Sequence, residues 1–336
     1  MWKIDAHCHW TLTARLEQFD AFLDRFQLRL NNVVGGITND PNWRTTGRAA
    51  RARALHERAP DRCAWGTSFD YPGWDDTAAY VNRVLQGLKE DFAAGASSVK
   101  VWRSVGMEIR KPDGTLLQMD DPVFDPIYEF IAAEGKTLLS HIAEPLTRWP
   151  GVVAAGRRIG LYGPELPPWA KNTLDPAQPG ANLTEAGYDR IIGARDTVLE
   201  KFPKLRHVGA HLGSMEHDVR EIARRLDRFP HFAVDMSGRE VDLAAQDRNA
   251  VRDFIHTYQD RLLWATDLGI GEPATEERWE GLWRWSREAL IANEAYLESE
   301  LEFRWREVSW RGLGLPEAVL KKIYTDNALR WFPGLF

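Results

Sequence analysis

The sequence predicts an α/β protein, a (β/α)8 (TIM) barrel. Three observations carry this. Short apolar runs alternate with longer helical stretches, and eight such runs can be traced. The first run ends in His7-Cys8-His9, two histidines where a barrel strand would open onto its C-terminal rim. A doubly wound nucleotide-binding sheet would instead carry a glycine-rich turn after its first strand, and that turn is missing. At 336 residues the chain fits one large barrel or two smaller domains, and the unbroken alternation favours a single barrel domain over 1–336.

Trp2–Cys8 reads as the first strand. Thr13–Arg29 follows as a helix, with Leu16, Phe19, Leu23 and Phe26 at three- and four-residue spacing. Val33–Ile37 reads as strand two and Thr45–Ala59 as a helix rich in Ala and Arg. Cys63–Phe69 is strand three, Asp75–Ala94 a helix ending near Gly95, and Ser98–Trp102 strand four. Phe124–Ala133 is helical and leads into strand five, Thr137–Ile142. Thr184–Lys201 is a helix with Thr184 and Glu185 as cap signals. Arg206–Leu212 is strand six, Met215–Arg228 a helix, Phe232–Met236 strand seven, Arg248–Tyr258 a helix and Leu262–Leu268 strand eight. Helices are expected to fill the remainder.

Two regions exceed a minimal barrel. Pro145–Leu183, after strand five, is rich in Pro and Gly and would lie over the C-terminal face as a substrate-shaping loop. Glu276–Trp310 is charged, tryptophan-rich and helical in pattern, within a C-terminal extension covering 276–336. Trp279, Leu282, Trp283 and Trp305 form an apolar stripe there, which reads as packing against the barrel or against another subunit of a homo-oligomer.

Composition narrows the classes. A hydrophobic fraction of 44% with 27% charged residues is that of a globular protein. The net charge of −6 argues against a general nucleic-acid binder, which needs a basic face. The apolar runs are too short to span a membrane, and no signal-peptide pattern precedes the first strand, so a cytoplasmic protein or a mature exported form is expected. Cys8 and Cys63 are too few for a disulfide framework.

Successive strand residues point to opposite faces, so His7 and His9 share one and Cys8 takes the other. Imidazole is the commonest protein ligand of a catalytic divalent ion, and two on one face supply half a tetrahedral site. The pair alone is equally an ordinary polar pair near a terminus. Further candidates arrive at later strand ends: Lys100 near the end of strand four, His141 of strand five, His211 of strand six and Asp267 of strand eight. Singly, each has an ordinary reading: a satisfied polar histidine, a turn-forming Asp, a lysine paired with a buried acid. His56, His217, His231 and His256 fall on helices, loops or strand beginnings and receive no role.

The order HxH, His, His, Asp at the ends of strands one, five, six and eight resembles the amidohydrolase superfamily. The resemblance is nearest to its amidohydrolase-related (amidohydrolase 2) branch, which includes lactonases, hydratases and nonoxidative decarboxylases of small acids. The stretches that carry it are Ile4-Asp5-Ala6-His7-Cys8-His9, Ser140-His141, Gly209-Ala210-His211-Leu212-Gly213 and Ala265-Thr266-Asp267. The tail Ile323–Phe332 is similar to that branch's C-terminal helix.

The resemblance implies one divalent metal held by His7, His9, His141 and Asp267, with Zn²⁺ first and Mn²⁺ or Fe²⁺ as alternatives. It implies that Asp267 takes a proton from the metal's water and later delivers it to the leaving group. His211 would polarise the substrate carbonyl or serve as a further ligand. In binuclear members a carbamylated strand-four lysine bridges two ions; Lys100 stands near that place, as a bridge or as a substrate-binding cation. Arg239, just beyond strand seven, suits a substrate carboxylate, or else a structural pair with Asp235 or Glu240. Arg103 and Glu144 lie just beyond strand ends, and Trp102 shares the face of Lys100 as a pocket wall. Asn182-Leu183-Thr184 matches a glycosylation sequon, a common chance match.

The expected function is therefore a metal-dependent hydrolase of a small-molecule C–O or C–N bond, in a lactone, amide or ester. The alternative is a nonoxidative decarboxylase of an aromatic or unsaturated acid. Decarboxylases of this branch can replace the first histidine by a carboxylate, and His7 is kept, which favours hydrolysis. A barrel that binds without catalysis fits poorly with so complete a ligand set. A metal-dependent deoxyribonuclease also begins with HxH, but the acidic balance and the lack of a glutamate in the Lys100 strand count against it. No motif identifies the substrate.

Overall fold

The computed structural model describes residues 1–37, 41–146, 149, 185–271, 275–305 and 308–336. Eight strands pair in parallel and in sequence order. They are β1 (Lys3–Cys8), β2 (Leu28–Val33), β3 (Cys63–Thr67), β4 (Ala96–Val101), β5 (Thr137–Ser140), β6 (Arg206–Gly209), β7 (Phe232–Asp235) and β8 (Leu262–Leu263). The chain beyond β8 returns along β1: Ala6 N–H donates to Trp264 O at 3.1 Å, Asp267 N–H to His7 O at 2.9 Å and His9 N–H to Leu268 O at 2.7 Å. Helices alternate with the strands, as the barrel expectation requires: α1 (Leu16–Phe26), α2 (Arg48–Arg58), α3 (Thr77–Ala93), α4 (Asp125–Ala133), α5 (Glu185–Lys201), α6 (Val219–Arg228), α7 (Arg248–Tyr258) and α8 (Glu276–Glu298).

Local chemistry sets the boundaries. Asp76 caps α3 by accepting from Ala79 N–H at 2.8 Å, and Asp247 caps α7 by accepting from Ala250 N–H at 2.8 Å. Gln27, left-handed at φ 52°, ends α1 just short of Leu28. Strand two therefore starts five residues before the expected Val33 and ends at Val33, so it shares only that residue with the expected Val33–Ile37. Its pattern was obscured by Asn31 and Asn32, whose buried amides serve β1: Asn31 Nδ2 donates to Ala6 O at 3.1 Å and Asn32 Nδ2 to Trp10 O at 2.7 Å. A second correction concerns the C-terminal extension, which is not all helix. Strands β9 (Glu302–Trp305) and β10 (Val308–Arg311) form an antiparallel hairpin.

Tryptophans seal the outer layer. Trp283 of α8 lies 5.7 Å from Trp10 and 5.2 Å from Phe22, ring centre to ring centre, and Trp279 is buried beside it. The predicted stripe thus packs on this chain's own barrel. At the N-terminal end of the barrel, Ala328, Trp331 and Phe332 join one apolar cluster with Ile4, Leu139 and Leu263. Thr137, the first residue of β5, donates to Trp331 O there. That end is plugged by the tail, so the polar groups gather at the C-terminal end. Most of the 145–183 loop lies outside the described residues, as does Asn182. Among the described residues, no helix is long and apolar enough to cross a membrane.

Candidate metal centre

His7 and His9 meet at the C-terminal end of β1, where the β1–β2 register shifts between Asp5 and Cys8. Their Nε2 atoms stand 3.1 Å apart. Their partners assign the tautomers. His7 Nδ1 lies 2.9 Å from Asp235 Oδ2, and a carboxylate accepts, so His7 carries its proton on Nδ1. His9 Nδ1 lies 2.7 Å from the Val33 carbonyl and must likewise donate. Both Nε2 atoms are then bare lone pairs facing one another. Asp267 Oδ1 adds a third acceptor, 3.2 Å from His9 Nε2 and 3.6 Å from His7 Nε2.

Three converging acceptors repel one another unless a cation joins them, and the donor set suits a divalent ion. Among the described residues, His7, His9 and Asp267 are the group whose ligand atoms all fall within 4.8 Å of one another. The structure supplies one cation beside them. Lys100 is fully buried, and its Nζ lies 2.9 Å from His7 Nε2. Burial pushes its ammonium down to about 8, although Asp235 and Asp267 act in the other direction.

His141 stands next to this group. Its ring is 4.3 Å from that of His211 and 4.9 Å from that of Trp102. Both its nitrogens are buried without a hydrogen-bond partner among the described residues, an unusual state for two polar atoms. Burial, then His211 and Lys100, hold it neutral, well below the usual histidine range. An imidazole kept neutral and unpartnered retains the lone pair that metal binding requires.

His211 does not end a strand ladder, as the sequence pattern implied. β6 stops at Gly209, and His211, Leu212, Gly213 and Ser214 follow with φ of 55°, 56°, 67° and 60°. Left-handed backbone costs an L-residue about 1–2 kcal/mol, so three of these four carry strain. The turn folds tightly onto its own strand: a Cβ on Gly209 would meet Gly213 Cα at 2.7 Å. Asp235 Oδ1 accepts from His211 N–H at 2.9 Å, and His211 Nδ1 lies 2.9 Å from Ser237 O. Its Nε2 is thereby turned away from the backbone. Burial, then Arg239, lower its ring to about 3.

Asp235 organises both histidines. It also accepts from Ser237 N–H at 3.1 Å and Ser237 Oγ at 2.5 Å. Burial alone would raise its carboxyl, but His7, then His211 and Lys100, pull it well below the carboxylate range. Asp5 is a second organiser, accepting from Thr266 N–H at 3.0 Å and from Thr266 Oγ1, and it ties the approach to Asp267 to β1. Burial raises Asp5 to about 7. Asp267 itself lies beyond β8 at φ 57°, its side chain 38% exposed. Gly269 follows because a Cβ there would meet His9 O and Cβ at 3.1 Å.

Other sequence candidates are placed as follows. Arg239 Nε faces Glu216 Oε2 at 3.9 Å, while Asp235, one of its two expected partners, is engaged by His7. Arg103 Nε pairs with Glu144 at 2.8 Å, so those two bind each other. Trp102 stands between His9 and His141 as a wall, its ring 6.3 Å from that of His9. His56 and His231 hydrogen-bond the carbonyls of Cys63 and Leu199, away from the centre. Sequence reasoning missed Asp5, Ser237 and two arginines. Beside His9 opens a cavity of about 550 Å³ whose lining includes Thr11, Arg48, Arg51 and Gly269. No spacing signal singles out Arg48 or Arg51, because they read as exposed positions of a basic helix.

A model of the amidohydrolase family matches residues 88–334. No curated protein sequence matches the chain. Among solved structures, an amidohydrolase II is 17% identical, with coverage of 98% of this chain and 99% of that one and a TM-score of 0.56. A 2,6-dihydroxybenzoate decarboxylase from Rhizobium is 16% identical, with coverage of 99% and 98% and a TM-score of 0.54. A dihydroxybenzoic acid decarboxylase from Polaromonas, solved with manganese and the inhibitor 2-nitroresorcinol, is 16% identical, with coverage of 98% and 96% and a TM-score of 0.52.

Proposed function

The chain belongs to the amidohydrolase family, and from that membership we propose that it is a metal-dependent hydrolase of a small molecule carrying a negative charge. The observation that carries the metal reading is the meeting of His7 Nε2, His9 Nε2 and Asp267 Oδ1, three acceptors with their lone pairs turned together. His141, orphaned and neutral beside them, completes the proposed ligand set. When bound, a divalent ion supplies Lewis acidity, which polarises a substrate oxygen and makes water acidic enough to react near neutral pH. Zn²⁺ is the first choice, and Mn²⁺, found in the Polaromonas decarboxylase, or Fe²⁺ suits the same His/Asp donors.

The chain's own residues supply the rest. Asp235 and the Val33 carbonyl fix the two ring orientations before any ligand arrives. Asp267, partly exposed, takes a proton from the attacking water and returns it to the departing oxygen or nitrogen. His211, with its proton committed to Ser237 O, presents an acceptor at Nε2, which supports its role as a further ligand over that of a carbonyl donor. Lys100 and Arg239 add positive charge felt at His141. Arg48 and Arg51 add it in the cavity by His9, which supports an anionic substrate, a carboxylate first.

A second reading is nonoxidative decarboxylation of a small acid. The arginine-lined cavity and the fold shared with two dihydroxybenzoate decarboxylases favour it. One experiment separates the two. The metal-reconstituted protein is incubated with a panel of carboxylated lactones, amides and esters alongside hydroxybenzoates, and hydrolytic product and released carbon dioxide are both measured. Hydrolytic turnover supports the first reading, and carbon dioxide without hydrolysis replaces it with the second. Inactivity towards every compound by a protein that binds metal would remove both substrate classes.

A further inference from the structure

The left-handed turn Ala210–Ser214 closes on local bonds, Ser214 N–H to His211 O at 3.0 Å and Met215 N–H to Leu212 O at 3.3 Å, but three of its positive-φ residues carry side chains and strain it. Its outward-facing carbonyls are held from α5. Tyr188 Oη donates to Ser214 O at 2.6 Å, and Arg195 Nη1 donates to Gly213 O at 2.7 Å. The two donors lie seven residues apart, hence on one face of that helix. Arg195 is completely buried, which is rare for a guanidinium. It is fixed by Asp196 Oδ1 at 2.7 Å and lies 5.0 Å from the Phe232 ring centre. The turn is also tied to the segment after β5. Ser214 Oγ donates to Ala143 O at 3.2 Å and accepts from Ala143 N–H at 3.3 Å, two residues past His141.

We propose that Tyr188 and Arg195 are positioning residues: they clamp the two carbonyls of the left-handed turn, so that His211 keeps Nδ1 on Ser237 and Nε2 toward the metal centre. The clamp works by denying the turn its relaxation. Without a donor on Gly213 O or Ser214 O, the strained residues can return to right-handed backbone, and the His211 ring leaves Ser237. Through Ser214, the same clamp keeps the segment bearing His141 in register with the turn. The functional consequence rests on the reading of this centre as a metal-dependent active site; the positional one does not.

The test uses full-length protein labelled with ¹³C and ¹⁵N in its histidines. The His211 ring resonance is assigned by its loss in His211→Asn, and that of His56, held at Nδ1 by the Cys63 carbonyl at 2.8 Å on the far strands, serves as the reference. Tyr188→Phe removes one hydroxyl and Arg195→Lys keeps a cation with a shorter reach, so both variants can retain the fold. In each, the His211 resonance should shift or split and its Nδ1 proton should exchange faster, while His56 stays in place. Arg195→Gln should move it further than Arg195→Lys. With any substrate found active, kcat should fall about tenfold to a hundredfold with KM nearly unchanged. An unmoved His211 resonance in both Tyr188→Phe and Arg195→Lys overturns the proposal, even if activity falls. A moved resonance in a protein that turns over no substrate upholds the clamp and counts only against the functional reading.

Discussion

The Asp235 carboxylate lies 2.9 Å from His7 Nδ1 with both side chains fully buried, so a strand-seven residue decides which nitrogen of a strand-one histidine is free. The same carboxylate takes the His211 N–H at 2.9 Å. Two candidate site histidines from different strands are thus oriented by one anion. In Asp235→Asn, the shape is kept, but the amide can offer an N–H to Nδ1 and reverse the tautomer, hiding the Nε2 lone pair. Metal affinity should fall about tenfold to a hundredfold. A chelator-competition titration of wild type and variant measures this, and equal affinities would show that the tautomer is set elsewhere.

Lys100 gives a prediction about stoichiometry. Its Nζ stands 2.9 Å from His7 Nε2, and burial has already weakened its hold on the proton. As a free amine or ammonium, it supports one ion per chain. Elemental analysis should then give one ion in wild type, and Lys100→Met should keep that number. Two ions in wild type, with one or both lost in Lys100→Met, would mean that the lysine is a bridge.

Much of this centre was legible because its chemistry sits at strand ends, and strand ends can be located from apolar runs. His7, His9, His141, His211 and Asp267 all fall there or just beyond. What was not legible has physical causes. Asn31 and Asn32 make β2 look polar because their amides do the work of backbone partners for β1. β6 ends early because a left-handed run begins at His211, a conformation that Ala-His-Leu-Gly-Ser does not advertise. The β9–β10 hairpin lies in a segment whose tryptophans repeat at helical spacing up to Trp283, and that rhythm masked the change of period. Asp5 reads as a polar strand residue until the structure shows its hold on Thr266, and Asp235 reads as a strand-end candidate beside Arg239 whose actual partners are His7 and His211.

The cavity beside His9 predicts how the substrate is held. Arg48 and Arg51 line it, and a carboxylate reaching them would make charge-assisted hydrogen bonds. Arg48→Ala and Arg51→Ala should each raise KM about tenfold for an anionic substrate, which corresponds to roughly 1.4 kcal/mol of binding, with kcat little changed. A neutral analogue of the same substrate should be turned over equally well by variant and wild type. If the loss appears equally for neutral and charged substrates, the arginines shape the cavity without recognising charge.

His207 lies away from the metal centre and offers a clean test of burial. It is fully buried, its Nε2 is 2.7 Å from Ser140 Oγ, and burial, then Arg195 and His231, push it well below the usual histidine range. It is therefore neutral in the folded protein. Below about pH 6.5 the unfolded chain takes up a proton at this residue and the folded chain does not, so the stability it contributes is complete above that pH and is lost on acidification. One such group gives a slope of up to about 1.4 kcal/mol per pH unit. His207→Phe keeps the ring and removes the proton. At pH 7.5 the variant should be the less stable by about 1–3 kcal/mol, because Ser140 loses its partner. As pH falls from 6.5 to 5.5, the gap should narrow by about the slope of one proton. Urea denaturation of both proteins at the three pH values measures it, and the histidines they share cancel in the difference. A gap that stays constant across this range would mean that His207 titrates alike in both states, and one that widens would mean that it is protonated in the fold.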